Sequence, residues 1–382
     1  CDPLEPTVLP TPARPENPQI LAAWKALWGY AYNDRSEAHI REMLQVKARI
    51  KQEQGDNYSA WVLSKLKIET EFANRIALGR GLVVPHFRWV PFDDALLVPF
   101  PSASLANETP DRKFFYGRES MLLDRYRSEL GVTSLPATLR EYTSRVVTPE
   151  LEHQKQNGAV AIKFEAAYLR SLDFEPESEE DAAAIYAKYV RDGTPSKVEY
   201  LHLQDYLFRF IAAEAGKLSL PVHIHTGAGC GGYFEMRGAN PILLESVFDD
   251  PALRKTNFVL LHGGAGAYSD LVAVLLMKPN VYTDLSEQTW ATSPRHLAGV
   301  LRYWLEWYPE KVLFGTDLYP GANEFDWEEI GWQTSQTGRE ALAIALTGMM
   351  ADGEISRTRA AEIARMVLRG NAARLYNLTD AK

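Results

Sequence analysis

The chain has 382 residues and carries 41 Lys and Arg against 50 Asp and Glu, for a net charge of −9. That balance argues against nucleic acid as the main partner, and no apolar run approaches the roughly 20 residues of a membrane span. At 46% hydrophobic and 24% charged residues the composition is that of a globular protein with a sizeable core, and its two cysteines, Cys1 and Cys230, are too few for a disulfide framework or a four-cysteine zinc site.

The first 18 residues hold six prolines (Pro3, Pro6, Pro10, Pro12, Pro15 and Pro18), so they cannot form a central strand. They read as a tether behind a lipid-modified Cys1, or as a loop after a strand lying upstream. "PQILAAWKALWGYAY" and "SEAHIREMLQVKARIKQEQ" then show apolar residues at helical spacing, with Ser36 placed to open the second helix. Residues 1–60 are therefore expected to be a proline-rich start and helical segment packed on a larger domain, 61–382. The protein is expected in the cytoplasm, with membrane tethering through Cys1 as the alternative.

From about residue 70 the rhythm changes. "TEFANRIAL" and "VVPHFRWVPF" read as strands, and after a helical insertion so does "GAVAIKFEAAY". "LPVHIH", "NFVLLH", "NVYTDLS" and "KVLFGTD" follow, each succeeded by an amphipathic helical run such as "NPILLESVF", "YSDLVAVLLM" or "PRHLAGVLRYWLEWY". Apolar strand, polar tip and helix in alternation predict a parallel sheet with crossover helices. At least four strands end in ionisable groups: Lys163 with Glu165, His225, His262 and Asp317. An open sheet gathers chemistry only at its switch point, whereas a closed barrel aims every strand end at one mouth. The expected fold is therefore an α/β protein, a (β/α)8 TIM barrel with an N-terminal helical segment. Seven strands are counted, so the first would lie before Cys1.

Two imidazoles and a carboxylate are a ligand set suited to zinc and similar divalent ions, which lower the pKa of bound water. "KVLFGTDLYP", the pair "NFVLLHGG" and "KPNVYTDLS", "LPVHIHTG" and the closing "GNAARLYNL" together resemble the amidohydrolase superfamily, specifically its amidohydrolase-related, metal-dependent hydrolases, over residues 60–378. The resemblance implies a TIM barrel in which His225 is a metal ligand and His262 a second ligand or catalytic acid/base. It implies that Asp317 is a ligand and proton acceptor. It also implies one divalent ion, most simply zinc, or two if Lys163 is carbamylated and bridges them. The family's first-strand His-x-His has no counterpart here, since His39 falls in a helix.

Each residue also has a plainer reading. Lys163 and Glu165 share a strand face and could form an ordinary ion pair, or Lys163 could bind substrate. His223 shares a face with His225 but sits one layer deeper, as a core histidine, a further metal ligand or a substrate contact. Arg88, Trp89, Tyr168 and Arg170 are candidates for the pocket wall, where arginine would suit a carboxylate-bearing small molecule. Gly227, Gly229 and Gly232 spell G-x-G-x-x-G, but "YFEMRGANP" follows where a dinucleotide site needs a helix, so a flexible loop is expected. The functional expectation is hydrolysis of a C–N or C–O bond in a small molecule, by a protein that could be a homo-oligomer. Non-oxidative decarboxylation on the same barrel and a metal-free binding or lipid-tethered protein are the alternatives.

Overall fold

The computed structural model describes residues 10–101 and 103–378; the lipid-tether expectation for Cys1 lies outside them. The chain divides into two compact units, one drawn from Cys1–Ala73, Ala77–Arg88 and Asp284–Lys382, the other from Asn74–Ile76 and Trp89–Thr283. The N-terminal helical segment thus groups with the C-terminal residues. No described helix is long and apolar enough to cross a membrane.

In the first unit, helix α1 (Pro18–Trp28) starts where the Asn17 side chain accepts from Gln19 N and stops at Gly29, whose φ of 70° only glycine adopts freely. Helix α2 (Glu37–Gln54) opens on Ser36, whose hydroxyl accepts from His39 N as the sequence suggested. With α3 (Tyr58–Leu66) these helices bury Trp24, Leu27, Trp28, Met43, Val62 and Leu66 against Phe325 and Ile330. The long helix Trp327–Ala351 begins with a capping box between Asp326 and Glu329. Its first turn carries Glu328 and Glu329 into the core, both 0% exposed. Two buried carboxylates side by side require compensation. Lys47 Nζ supplies it, 2.9 Å from Glu328 and 3.0 Å from Glu329. Tyr58 Oη donates to Glu328 at 2.6 Å and Trp28 Nε1 to Glu329 at 2.5 Å, while Trp24 Nε1 donates to the Glu324 carbonyl at 2.6 Å. The segment after Asp317 is thereby fastened to α1, α2 and α3.

All seven strands counted in the sequence are present among the described residues. Strand β1 (Glu71–Asn74) is followed by β2 (Phe87–Val90). The second unit holds β3 (Ile162–Phe164), β4 (Val222–Gly227), β5 (Phe258–Ala265) and all but the last residue of β6 (Val281–Asp284), paired in that order and all parallel. The chain beyond β2 joins β3 through parallel bridges of Trp89 with Ala159 and Phe92 with Lys163. Strands β3, β4 and β5 are buried along their whole length, which is why their sequences are unbroken apolar runs and not alternating ones. Strand β7 (Val312–Leu313), in the first unit, is shorter than "KVLFGTD" suggested, because the backbone has turned left-handed by Asp317, at φ 56°. "NPILLESVF" forms a 3-10 turn (Pro241–Leu244) and a single α turn (Glu245–Phe248) in place of a full helix. The Asp250-Pro251 step just beyond disfavours helix at the residue before the proline.

Two expectations follow. Lys47→Met should leave Glu328 and Glu329 uncompensated and cost about 3–5 kcal/mol in urea unfolding at pH 8. Burial already raises the Glu329 pKa, so the deficit should shrink at pH 5, where that carboxyl can take up a proton. In the second unit, Asp93 and Glu150 both accept from Gln154 Nε2, at 2.8 and 3.1 Å, and burial pushes Asp93 up to about 7 and Glu150 up to about 8. Raised folded-state pKa values mean a contribution present at low pH and lost as pH rises through 7–8. Asp93→Asn should therefore raise the melting temperature at pH 9 relative to the parent, and the advantage should shrink at pH 5.

Candidate functional site

The ladder between β4 and β5 pairs Val222 with Phe258, His223 with Val259, Ile224 with Leu260 and His225 with Leu261, and then Gly227 with Ala265. β4 advances by two residues over a stretch in which β5 advances by four. The surplus is a bulge at His262, Gly263 and Gly264, with φ of 67°, 55° and 65°. By strand parity Leu261 would stand beside His225 and His262 would face away. The bulge re-aims His262, and its ring centre lies 4.7 Å from that of His225 with the rings inclined by 65°. A left-handed backbone at a histidine is strained. It is held by Thr226, whose hydroxyl donates to the Leu261 carbonyl at 2.7 Å and accepts from Gly264 N at 3.1 Å. Gly227, at φ 83°, lies so close to β5 that a Cβ would sit 2.3 Å from Ala265 N.

His225 is 3% exposed, and its Nε2 is buried without a hydrogen-bond partner. Burial depresses its pKa well below the ordinary imidazole value, helped by His262 and Lys163 and opposed by Glu165 and by a hydrogen bond from the ring to the backbone of Ala228. That bond fixes the protonated nitrogen and leaves Nε2 as the one with the lone pair. His223 is also buried and pushed down to about 3, by burial first and Lys163 second; it stands in register with Lys163. Lys163 Nζ lies 3.1 Å from Glu165 Oε1 and 5.7 Å from the centre of the Phe92 ring. Asp94 Oδ2 accepts from Glu165 N at 2.6 Å and supports this turn.

Aromatic groups enclose the imidazole pair. The Tyr168 ring lies 4.7 Å from His225 and the Phe234 ring 5.8 Å from it, with Tyr168 and Phe234 4.8 Å apart and Phe115 4.6 Å from Tyr168. Phe234 belongs to the glycine-bearing loop after β4. No helix starts on those glycines, and the next helical turn begins at Pro241. The loop is pinned, with Tyr233 N donating to Asp111 Oδ2 at 2.8 Å and Gly229 packed so tightly on Phe234 that a Cβ would meet the ring at 2.6 Å. Arg170 is 4% exposed. It lies 2.6 Å from Asp205 and donates to the carbonyls of Ser171, Leu201 and Asp173. Trp89 Nε1 donates to the Arg75 carbonyl at 2.6 Å.

Asp317 and Arg88 belong to the first unit. Thr316, next to Asp317, donates from its hydroxyl to Glu71 Oε1 at 3.1 Å. Burial pushes Glu71 up to about 7; the Thr316 bond opposes the rise, and Asp317 and Asp284 add to it. Arg88 Nε is buried without a hydrogen-bond partner. Glu71 and Asp284 were not singled out from the sequence. Asp284 closes the apolar run of "NVYTDLS" much as Asp317 closes "KVLFGTD", so the same reasoning could have found it. Glu71 opens its strand, where charged residues are commonplace, and gives no local signal. Among the described residues no three His, Cys, Asp or Glu side chains form a group able to hold a metal. The His225 imidazole, kept neutral by burial, and the His262 ring beside it nonetheless suit two positions of a zinc-type donor set, and the orphaned Nε2 of His225 is a lone pair buried without a hydrogen-bond partner.

A family model described as amidohydrolase matches residues 143–378. Protein fluG of Emericella nidulans is 27% identical over 233 residues, which is 58% of this chain but only 26% of that protein; the chain thus spans about a quarter of the curated relative it matches. Among solved structures, a Lactobacillus casei protein assigned as a metal-dependent hydrolase superposes with a TM-score of 0.62 at 15% identity, covering 97% of this chain and 93% of that one. Uronate isomerase of Thermotoga maritima gives 0.63 at 15% identity over 95% and 79% of the two chains. Glucuronate isomerase of Caulobacter crescentus gives 0.63 at 13% over 96% and 76%. Identities this low show the fold alone, a mixed α/β fold of the TIM-barrel type on a parallel sheet.

The bulge generates its own test. Thr226→Val removes one donor and one acceptor that the bulge uses, so urea unfolding should show a loss of about 1–3 kcal/mol. Thr226→Ser keeps the hydroxyl and should recover most of it.

Proposed function

Because the chain belongs to the amidohydrolase family, we propose that it is a metal-dependent hydrolase that cleaves a C–N or C–O bond in a small molecule. The observation that carries this reading is the buried, unpartnered Nε2 of His225 opposed by the His262 ring at 4.7 Å. His225 and His262 are the residues that would hold a divalent ion, with zinc the best match to neutral imidazole donors. When bound, such an ion supplies Lewis acidity that polarises a carbonyl and makes water a stronger acid. The protein's part is to keep the His225 imidazole neutral by burial, to fix its tautomer through Ala228, and to shield the site with Tyr168 and Phe234. Asp317 is the proton acceptor in this proposal, on the strength of its place at the end of the "KVLFGTD" motif.

We assign Lys163 the role of an ammonium, so that the site takes one ion. Its amine lies 3.1 Å from a carboxylate and near the face of Phe92, both of which favour a cation. A carbamate would set a second anion against Glu165.

Elemental analysis should find close to one zinc per chain, unchanged by added bicarbonate, and His225→Ala should lose most of it. A count near two that depends on bicarbonate would overturn the assignment of Lys163. Product analysis on turned-over substrate should give hydrolysed acid; release of carbon dioxide, or a product isomeric with its substrate, would replace hydrolysis with decarboxylation or isomerisation. Asp317→Asn should keep the fold and lose about 100- to 10,000-fold in rate, the usual range for loss of a general base.

A further inference from the structure

We infer that the wall beside His225 selects a substrate with a flat, unsaturated group, an aryl or conjugated acyl body, and that Phe234 is its specificity-determining residue. The inference rests on the proposed hydrolase site and adds its substrate class.

The wall is made of three rings. Tyr168 and Phe234 stand against His225 at 4.7 and 5.8 Å and against each other at 4.8 Å, inclined by 59°. Phe115 backs Tyr168 at 4.6 Å. Tyr168 and Phe115 are each 9% exposed and Phe234 is half-buried, so Phe234 is the most exposed of the three. Its position is built in by the Gly229 contact and by the Tyr233 bond to Asp111. The polar atom the wall carries is the Tyr168 hydroxyl, which already accepts from Cys230 N at 3.3 Å and lies 3.7 Å from Cys230 Sγ. Arg170, two residues after Tyr168, is held by Asp205 and three carbonyls.

A polyhydroxylated substrate laid against these rings would have hydroxyls desolvated without partners, which costs free energy for each one. A planar ring meets the same surface with stacking or edge-to-face contact and adds apolar burial. The two classes can share a carboxylate and differ only in the body the wall touches.

The test uses the zinc-treated full chain and two carboxylate probes, benzoate and glucuronate, titrated by calorimetry, with bound zinc measured on the same samples. Benzoate should bind at least about tenfold tighter than glucuronate. Phe234→Ala should weaken benzoate by about tenfold and leave glucuronate within about twofold. Phe234→Leu, which keeps apolar bulk without the ring, should fall between and serves where the alanine variant folds poorly. Glucuronate binding as tightly as benzoate, binding of neither probe, or substitutions that affect both probes equally or not at all would overturn the inference. If zinc binds while any of these results is seen, only the substrate class fails; if zinc does not bind, the hydrolase reading fails with it.

Discussion

The site in the second unit depends on a mismatch of length between two neighbouring strands. Between His225 and Gly227, β4 takes two steps where β5 takes four. A regular ladder would have set Leu261 beside His225 and turned His262 away, since alternate residues on a strand face opposite sides. The backbone strain at His262 is small against what surrounds it: a threonine hydroxyl bonded on both sides and a glycine that no other residue could replace without moving Ala265. Strain of this kind persists where packing over-determines it.

Burial then sets the chemistry. Imidazoles taken out of water do not take up a second proton, so His223 and His225 are neutral, and His225 keeps a lone pair on Nε2. Carboxyls taken out of water hold theirs, and Asp93, Glu119 and Glu150 are all pushed up, to between about 7 and about 8. Lys163 Nζ lies 3.1 Å from Glu165 Oε1. In the first unit the same logic runs the other way. Glu328 and Glu329 enter the core because Lys47 enters with them, and three further donors add hydrogen bonds, the Tyr58 hydroxyl to Glu328 and the Trp28 indole and Asp326 amide to Glu329.

Much of the fold was legible in the sequence. Runs such as "NFVLLH" and "LPVHIH" are too apolar and too rich in branched residues for anything but buried strands, and their recurrence between amphipathic helices predicted the parallel order seen in β3 to β6. Membership of the family was legible for the same reason, in strand-end residues at barrel spacing. The bulge was not, because periodicity assigns His262 to a face and cannot show that two glycines after it let the strand slip. The engagement of Arg170 by Asp205 was equally hidden: the two are remote in sequence, and an arginine after a strand looks the same whether it is structural or waiting for a ligand. Glu71 needed Thr316 brought beside it before it stood out.

The central claim is that the bulge presents two imidazoles, His225 and His262, to a single divalent ion. It is tested most directly by the 15N shifts of the imidazole nitrogens in histidine-labelled protein titrated with zinc. The account predicts that the resonances of His225 and His262 move together, that the His225 response falls on Nε2, and that both are complete at one equivalent. Zinc binding that leaves these two imidazoles unmoved, or that continues to shift them toward a second equivalent, would contradict it.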